Sequence, residues 1–218
     1  MITTDKKITS RIDHTFLKAN ITGKIVDSLC KEAVEYEFAS VCIPPYFVKK
    51  AAQMLTNEKP RVCTVVGFPF GYSCTPSKVE EARKAIDEGA NEIDMVVNLA
   101  AVKDQNWNFV FNDLQTVAVL TQMRGALVKV IIETPLLVDD EIKKLCEICM
   151  KVNVDYIKTC TGFAGPVEMD SIEVIKHYID DSIKIKASGG INSKSFVNEL
   201  INAGVSRIGT SSAIKIIS

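Results

Sequence analysis

The chain has 218 residues, 47% of them hydrophobic, enough to bury a large core, and its 26 basic and 27 acidic residues leave a net charge of −1. That balance, with the lysines scattered along the chain, argues against a nucleic-acid footprint or a membrane-surface patch, so neither partner is expected and any anionic ligand has to be bound locally. No apolar run approaches the ~18 residues of a membrane span, and Met1-Ile-Thr-Thr-Asp-Lys-Lys7 carries no apolar leader, which reads as a cytoplasmic protein.

The seven cysteines (Cys30, Cys42, Cys63, Cys74, Cys146, Cys149 and Cys160) are odd in number and spread through strand-like and helix-like segments, a pattern of reduced thiols rather than of a disulfide framework. Cys146-Glu-Ile-Cys149 is the only C-x-x-C. It lies in an amphipathic helical stretch, no second ligand pair follows, and only His14 and His177 could add imidazole. Helix packing is the expectation there, with no metal site and no cofactor.

In chain order, short β-branched runs alternate with helical ones. Arg11–Leu17 is the first candidate strand, with a helix over about 23–36. Ser40–Ile43 is the second, closed by Pro44-Pro45, which also starts a helix running to about Leu55. Arg61–Phe68 is the third, ended by the Gly67, Pro69 and Gly71 cluster, and a charged helix over Ser77–Gly89 follows. Asn91–Val97 is the fourth, then one long helix over about 106–123. Leu127–Thr134 is the fifth, followed by a helix over 139–152 capped by Asp139 or Asp140. The sixth strand lies in Asp155-Tyr-Ile-Lys-Thr-Cys-Thr-Gly-Phe163, with a helix over about 170–178. Ile183–Ser188 is the seventh, its helix starting after Asn192 or Ser193 and stopping at Gly204. Arg207–Ser211 is the eighth, with a last helical turn or two. Eight strand–helix units predict an α/β protein, a single (β/α)8 TIM barrel over residues 1–218. A doubly wound open sheet is the rival. The barrel is preferred because Asp13, Cys42, Asp94, Lys158, Lys186 and Ser211 fall on six different strands, whose C-terminal ends only a barrel brings to one mouth.

Lys158 and Lys186 suggest a lysine-centred active site. Each sits in a short apolar strand, where an ammonium group has to be explained. A lysine with a pKa near about 10.4 is a poor nucleophile at neutral pH until burial or a second cation lowers it, and Lys186 on the adjacent strand could be that cation. The alternative is a structural ion pair. Asp94, inside the apolar run Glu92-Ile-Asp-Met-Val, could pair with a lysine or relay protons, and both can hold together. Asp13 could be a site residue or a local cap, His14 a packing residue, and Glu133 either an orienting group or a solvated strand end. Gly189-Gly190 and Gly209-Thr-Ser-Ser212 follow the last two strands and precede helices, which is where barrels hold phosphates on backbone amides.

Eight segments, Ile12-Asp-His-Thr15, Val41-Cys-Ile-Pro-Pro45, Val65-Val-Gly-Phe-Pro69, Glu92-Ile-Asp-Met-Val-Val-Asn98, Lys129-Val-Ile-Ile-Glu-Thr134, Tyr156-Ile-Lys-Thr-Cys-Thr-Gly-Phe163, Lys186-Ala-Ser-Gly-Gly-Ile191 and Arg207-Ile-Gly-Thr-Ser-Ser212, resemble in order those of the deoxyribose-phosphate aldolase family, over nearly the whole chain. The resemblance implies a metal-free class I aldolase. Such an enzyme cleaves 2-deoxy-D-ribose 5-phosphate to acetaldehyde and D-glyceraldehyde 3-phosphate through a lysine imine. It implies Lys158 as the Schiff-base lysine, Lys186 as the lysine that perturbs it and Asp94 as a proton-transferring acid. Asp13, Cys42, Thr161 and Gly162 are implied in the substrate pocket, and Gly189, Gly190, Gly209, Ser211 and Ser212 around the phosphate. A phosphorylated sugar is the expected partner, and a homodimer is plausible by the same resemblance. One departure stands out: after Phe163 the chain reads Ala-Gly-Pro-Val-Glu-Met-Asp-Ser171 in place of a glycine-rich run, and Glu168 and Asp170 would repel an anion if they faced it. The rivals are another Schiff-base sugar-phosphate aldolase and a non-catalytic barrel that binds sugar phosphates.

Overall fold

Eight parallel strands close into one barrel in sequence order, in the computed structural model of residues 6–218. They are β1 (Ile12–Thr15), β2 (Ser40–Ile43), β3 (Arg61–Val66), β4 (Glu92–Val96), β5 (Leu127–Ile131), β6 (Tyr156–Lys158), β7 (Lys184–Ser188) and β8 (Arg207–Thr210). Most of the Met1–Lys7 stretch lies outside the described residues. Among the described residues no helix is long and apolar enough to cross a membrane.

The helices depart from expectation in several places. A 3-10 turn over Pro45–Phe47 precedes the helix Val48–Met54. The helix after β3 begins at Thr75, two residues early, with Pro76 in its first turn. The single helix expected after β4 is two, Leu99–Lys103 and Trp107–Met123, because Asn98 and Asn106 each cap a helix start through their side-chain oxygens. For Asp139–Val152 the capping group is neither aspartate: Glu141 Oε2 accepts from Val138 N at 3.0 Å, which leaves Asp139 and Asp140 in the first turn, where negative charge is favoured.

Period-two alternation gives the barrel two interiors. Ile12, Val41, Val62, Ile93, Val130, Ile157, Ile185 and Ile208 join one apolar cluster with the helices. Their neighbours point inward, and there the side chains are Asp13, Cys42, Cys63, Glu92, Asp94, Lys129, Lys158, Lys186 and Arg207. Barrel interiors are usually filled by branched apolar residues. Here Cys42, Cys63 and Val65 make a small separate apolar patch, and charge fills most of the rest. Cys146 and Cys149 are buried in the helix layer, as read from their spacing, and all seven cysteines are free thiols.

Candidate active site

Strand register decides which inward charges meet. Asp94 is the Cα partner of Lys129 across β4 and β5, and Lys158 of Lys186 across β6 and β7. All four side chains are at most 2% exposed. Asp94 Oδ2 accepts from Lys158 Nζ at 2.9 Å and from Lys186 Nζ at 2.7 Å, and its Oδ1 accepts from Lys129 Nζ at 2.6 Å. The ion-pair alternative and the clustering of candidate site residues therefore both hold in one arrangement.

Burial alone would raise the Asp94 carboxyl, but the Lys129, Lys158 and Lys186 charges hold it well below the usual carboxylate range. Burial would push Lys186 down, yet Asp13 at 2.5 Å and Asp94 keep it well above the usual lysine range. Asp13 is likewise held at about 2 against burial, by Lys186 and by Arg207 at 2.9 Å. Asp94 thus rests as a carboxylate that bridges ammonium groups, and Lys186 rests as a cation.

Above this layer opens a pocket of about 280 Å³ at the C-terminal ends of the strands. Lys158 is the one residue of the charged interior that lines it. Thr161, Gly162, Gly189, Gly190, Gly209, Ser211 and Ser212 line it too. Asp13 and Cys42 do not: both are fully buried beneath, Asp13 under Lys186 and Cys42 with its Sγ 4.0 Å from Asp94 Oδ2. They lie in the layer that supports the pocket. Cys42, Cys63 and Asp94 bring three metal-type donors within 4.8 Å of one another, but the Asp94 oxygens are committed to three ammonium groups, which would oppose any added cation. Hydrogen bonding from Cys63 brings the Cys42 thiol down to about 7, while burial drives Cys63 well up.

The two presumed phosphate loops are tied together by Thr210, whose hydroxyl donates to Ile191 O at 2.6 Å and accepts from Ser212 N at 2.9 Å. Gly189 and Gly190 have φ of 103° and 71°, and a Cβ there would stand 3.0 Å from Gly165 O and 2.8 Å from Pro166 Cβ. Pro166 thus packs the departing loop against the glycine pair, with Val167 N donating to Gly189 O at 3.1 Å. Glu168 and Asp170 do not line the pocket, so the repulsion foreseen from the sequence is not built. The helix after β8, Ala213–Ile217, has only five residues, which shifts weight from a helix terminus to the loops themselves.

The family described as "DeoC/LacD family aldolase" matches residues 7–214. The chain belongs to the DeoC/LacD aldolase family. The deoxyribose-phosphate aldolase of Finegoldia magna is 44% identical over 207 residues, 94% of this chain and 96% of that protein. That of Caldicellulosiruptor saccharolyticus is 42% identical over 217 residues, 99% of each. A solved structure described as a tetrameric deoxyribose phosphate aldolase from Aeropyrum pernix matches at a TM-score of 0.91 and 30% identity, over 97% of this chain and 90% of that one.

Sequence reasoning missed several residues of this aldolase's site. Lys129 shows the same signal as Lys158, a lysine at an inward position of an apolar strand. Glu92 lies two residues before Asp94 and so on its face. Lys18, which lines the pocket, gave no sequence signal. Glu133, left open between orienting a lysine and ending the strand in solvent, is 1% exposed, which removes the solvated reading. Its carboxylate accepts from Thr161 N at 3.1 Å and from the Thr161 hydroxyl, holding the β6 loop from a left-handed backbone at φ 61°.

Proposed function

We propose that this aldolase reversibly cleaves 2-deoxy-D-ribose 5-phosphate to acetaldehyde and D-glyceraldehyde 3-phosphate, with Lys158 as the imine-forming amine. The observation that carries it is the placement of Lys158: alone among the interior cations it opens on the pocket, while its Nζ stays on the Asp94 oxygen that also holds Lys186.

Neutral Lys158 adds to the open-chain C1 aldehyde, and loss of water gives an imine. Protonated, the iminium draws in electrons as the C3 hydroxyl loses its proton and the C2–C3 bond breaks. D-Glyceraldehyde 3-phosphate leaves and an enamine remains on Lys158. A proton returned to C2 and hydrolysis release acetaldehyde and restore the amine. Lys186 is the fixed proton source nearest this chemistry, and Asp94 accepts and redirects protons as a carboxylate, with bound water completing the path. The phosphate is held by the Gly189-Gly190 and Gly209–Ser212 loops, with Lys18 the added cation at the rim. Residues 1–218 act as one catalytic unit in the cytoplasm, assembled as a homodimer.

The test is to incubate the protein with acetaldehyde and borohydride and to locate the adduct by peptide mass spectrometry. An ethyl group on the Lys158 peptide is expected. No adduct, or one spread over surface lysines, would favour the binding-only barrel.

A further inference from the structure

Six of the seven charges on the inward face of the strands close on themselves. Lys186 Nζ stands 2.7 Å from Asp94 Oδ2 and 2.5 Å from Asp13 Oδ2. Arg207 spans Asp13 Oδ1 at 2.9 Å and Glu92 Oε1 at 2.5 Å. Lys129 Nζ spans Glu92 Oε2 at 2.7 Å and Asp94 Oδ1 at 2.6 Å, which returns to the start. Each carboxylate uses both oxygens, each cation bridges two carboxylates, and the ring of three anions and three cations is neutral. Lys158 is the seventh charge, attached to Asp94 from outside the ring.

We propose that Glu92, Arg207 and Lys129 are positioning residues that set the charge state of the imine-forming amine from beneath, without touching substrate. The inference rests on Lys158 as the nucleophile. Because the ring is complete without Lys158, its carboxylates are doubly paired by the ring's own cations, and removing one member leaves a net charge beneath the amine that nothing else in the ring balances. Glu92 and Arg207 sit at the N-terminal ends of β4 and β8, away from the pocket, so they act on the amine only through charge and through the geometry of Asp94 and Lys186.

The other titratable groups facing the ring are Cys42, Cys63, Tyr156 and the half-exposed Arg61, 3.9 Å from Glu92, with Glu133 beside Lys158. They are common to the wild type and to the Glu92 and Arg207 variants compared below, so the sign of each of those shifts belongs to the residue changed. A unit charge on the order of 10 Å away, at an effective dielectric of about 20, moves a titration by roughly one pH unit.

The experiment measures the pH midpoint of borohydride-trapped ethylation at Lys158 in the wild type, Glu92→Gln, Arg207→Met and the double variant. Glu92→Gln removes an anion and is expected to move the midpoint down by roughly one pH unit. Arg207→Met removes a cation and is expected to move it up by a similar amount, and the double variant, whose ring is again neutral, to return towards the wild type. Shifts of one sign in both single variants, or unmoved midpoints, would overturn the proposal, because a structural role is lost alike in both. Should the buried variants fail to fold, Arg61→Glu changes charge at the exposed end of the same chain of contacts and is expected to raise the midpoint by a few tenths of a unit, screening taken into account. An unmoved midpoint there overturns the proposal. Absence of any Lys158 adduct in the wild type would instead refute the nucleophile itself, which keeps the two failures apart.

Discussion

Lys158 and Lys186 stand opposite one another across β6 and β7 and donate to the same oxygen of Asp94, at 2.9 and 2.7 Å. Two ammonium groups on one oxygen repel each other, and Lys186 is the one with a second carboxylate. Replacing Lys186 with leucine removes a positive charge beside Lys158 and frees the negative charge of Asp13 and Asp94. The acid limb of the kcat/KM profile is expected to move to higher pH, and kcat to fall by about two to four orders of magnitude through loss of a proton-transfer group. An unmoved limb would remove Lys186 from both roles.

Glu133 acts on the pocket through Thr161, which lines it. Glu133→Ala leaves Thr161 N–H without its acceptor, at a cost of about 1–3 kcal/mol, and loosens the loop that carries Gly162 and Phe163. Steady-state kinetics should show KM rising about tenfold, one decade per ~1.4 kcal/mol, with kcat changed far less. A fall in kcat alone would place Glu133 in the chemistry instead.

Away from the site, Lys78 and Asp113 form a fully buried pair at 2.6 Å between the helices Thr75–Asp87 and Trp107–Met123. Lys78 also donates to Val96 O at 3.0 Å, and Asp113 accepts from Thr75 at 2.7 Å. Asp113→Asn strands a buried ammonium and should cost about 3–5 kcal/mol in urea unfolding. The double variant Lys78→Met with Asp113→Leu should cost less than the single one. If the single variant is as stable as the wild type, the pair carries no weight.

His14 links β1 to the helix Gly23–Glu35 through Glu32, at 2.6 Å. Burial lowers its pKa below the ordinary 6.5, outweighing the pull of Glu32. The unfolded chain therefore takes up this proton first as pH falls. Stability from His14 is complete above about 6.5 and declines as pH drops towards the lowered folded value, by at most about 1.4 kcal/mol per pH unit. His14→Gln should flatten urea midpoints over that window, and an unaltered slope would refute the assignment.

The fold was legible because each strand is a short β-branched run ended by glycine, proline or a helix cap, repeated eight times. Lys158, Lys186 and Asp94 were legible because charge inside such a run has few explanations. Lys129 was passed over in its own run, Leu127–Ile131, because its partner depends on a register set by two strands at once. Arg207 reads as a strand end, and only barrel closure brings it to Asp13, 194 residues away. The same geometry sets Asp13 and Cys42 below the pocket lining. Proximity to a strand's C-terminal end places a residue near the mouth, but depth along a tilted strand decides whether it lines the pocket or supports it.

The contact between Asp13 and Arg207 joins the first strand to the last. A partly assembled barrel lacking the first strand would leave Lys186 and Arg207 without Asp13, and one lacking the last would leave Glu92 and Asp13 without Arg207, a state costing several kcal/mol for each stranded charge that is kept from water. Half-barrels of this chain are therefore poor stopping points on the way to the native state. Neutralising the interior and closing the barrel are one event, so folding of the strands is expected to be coupled end to end, and the amine acquires its surroundings only when the last strand docks.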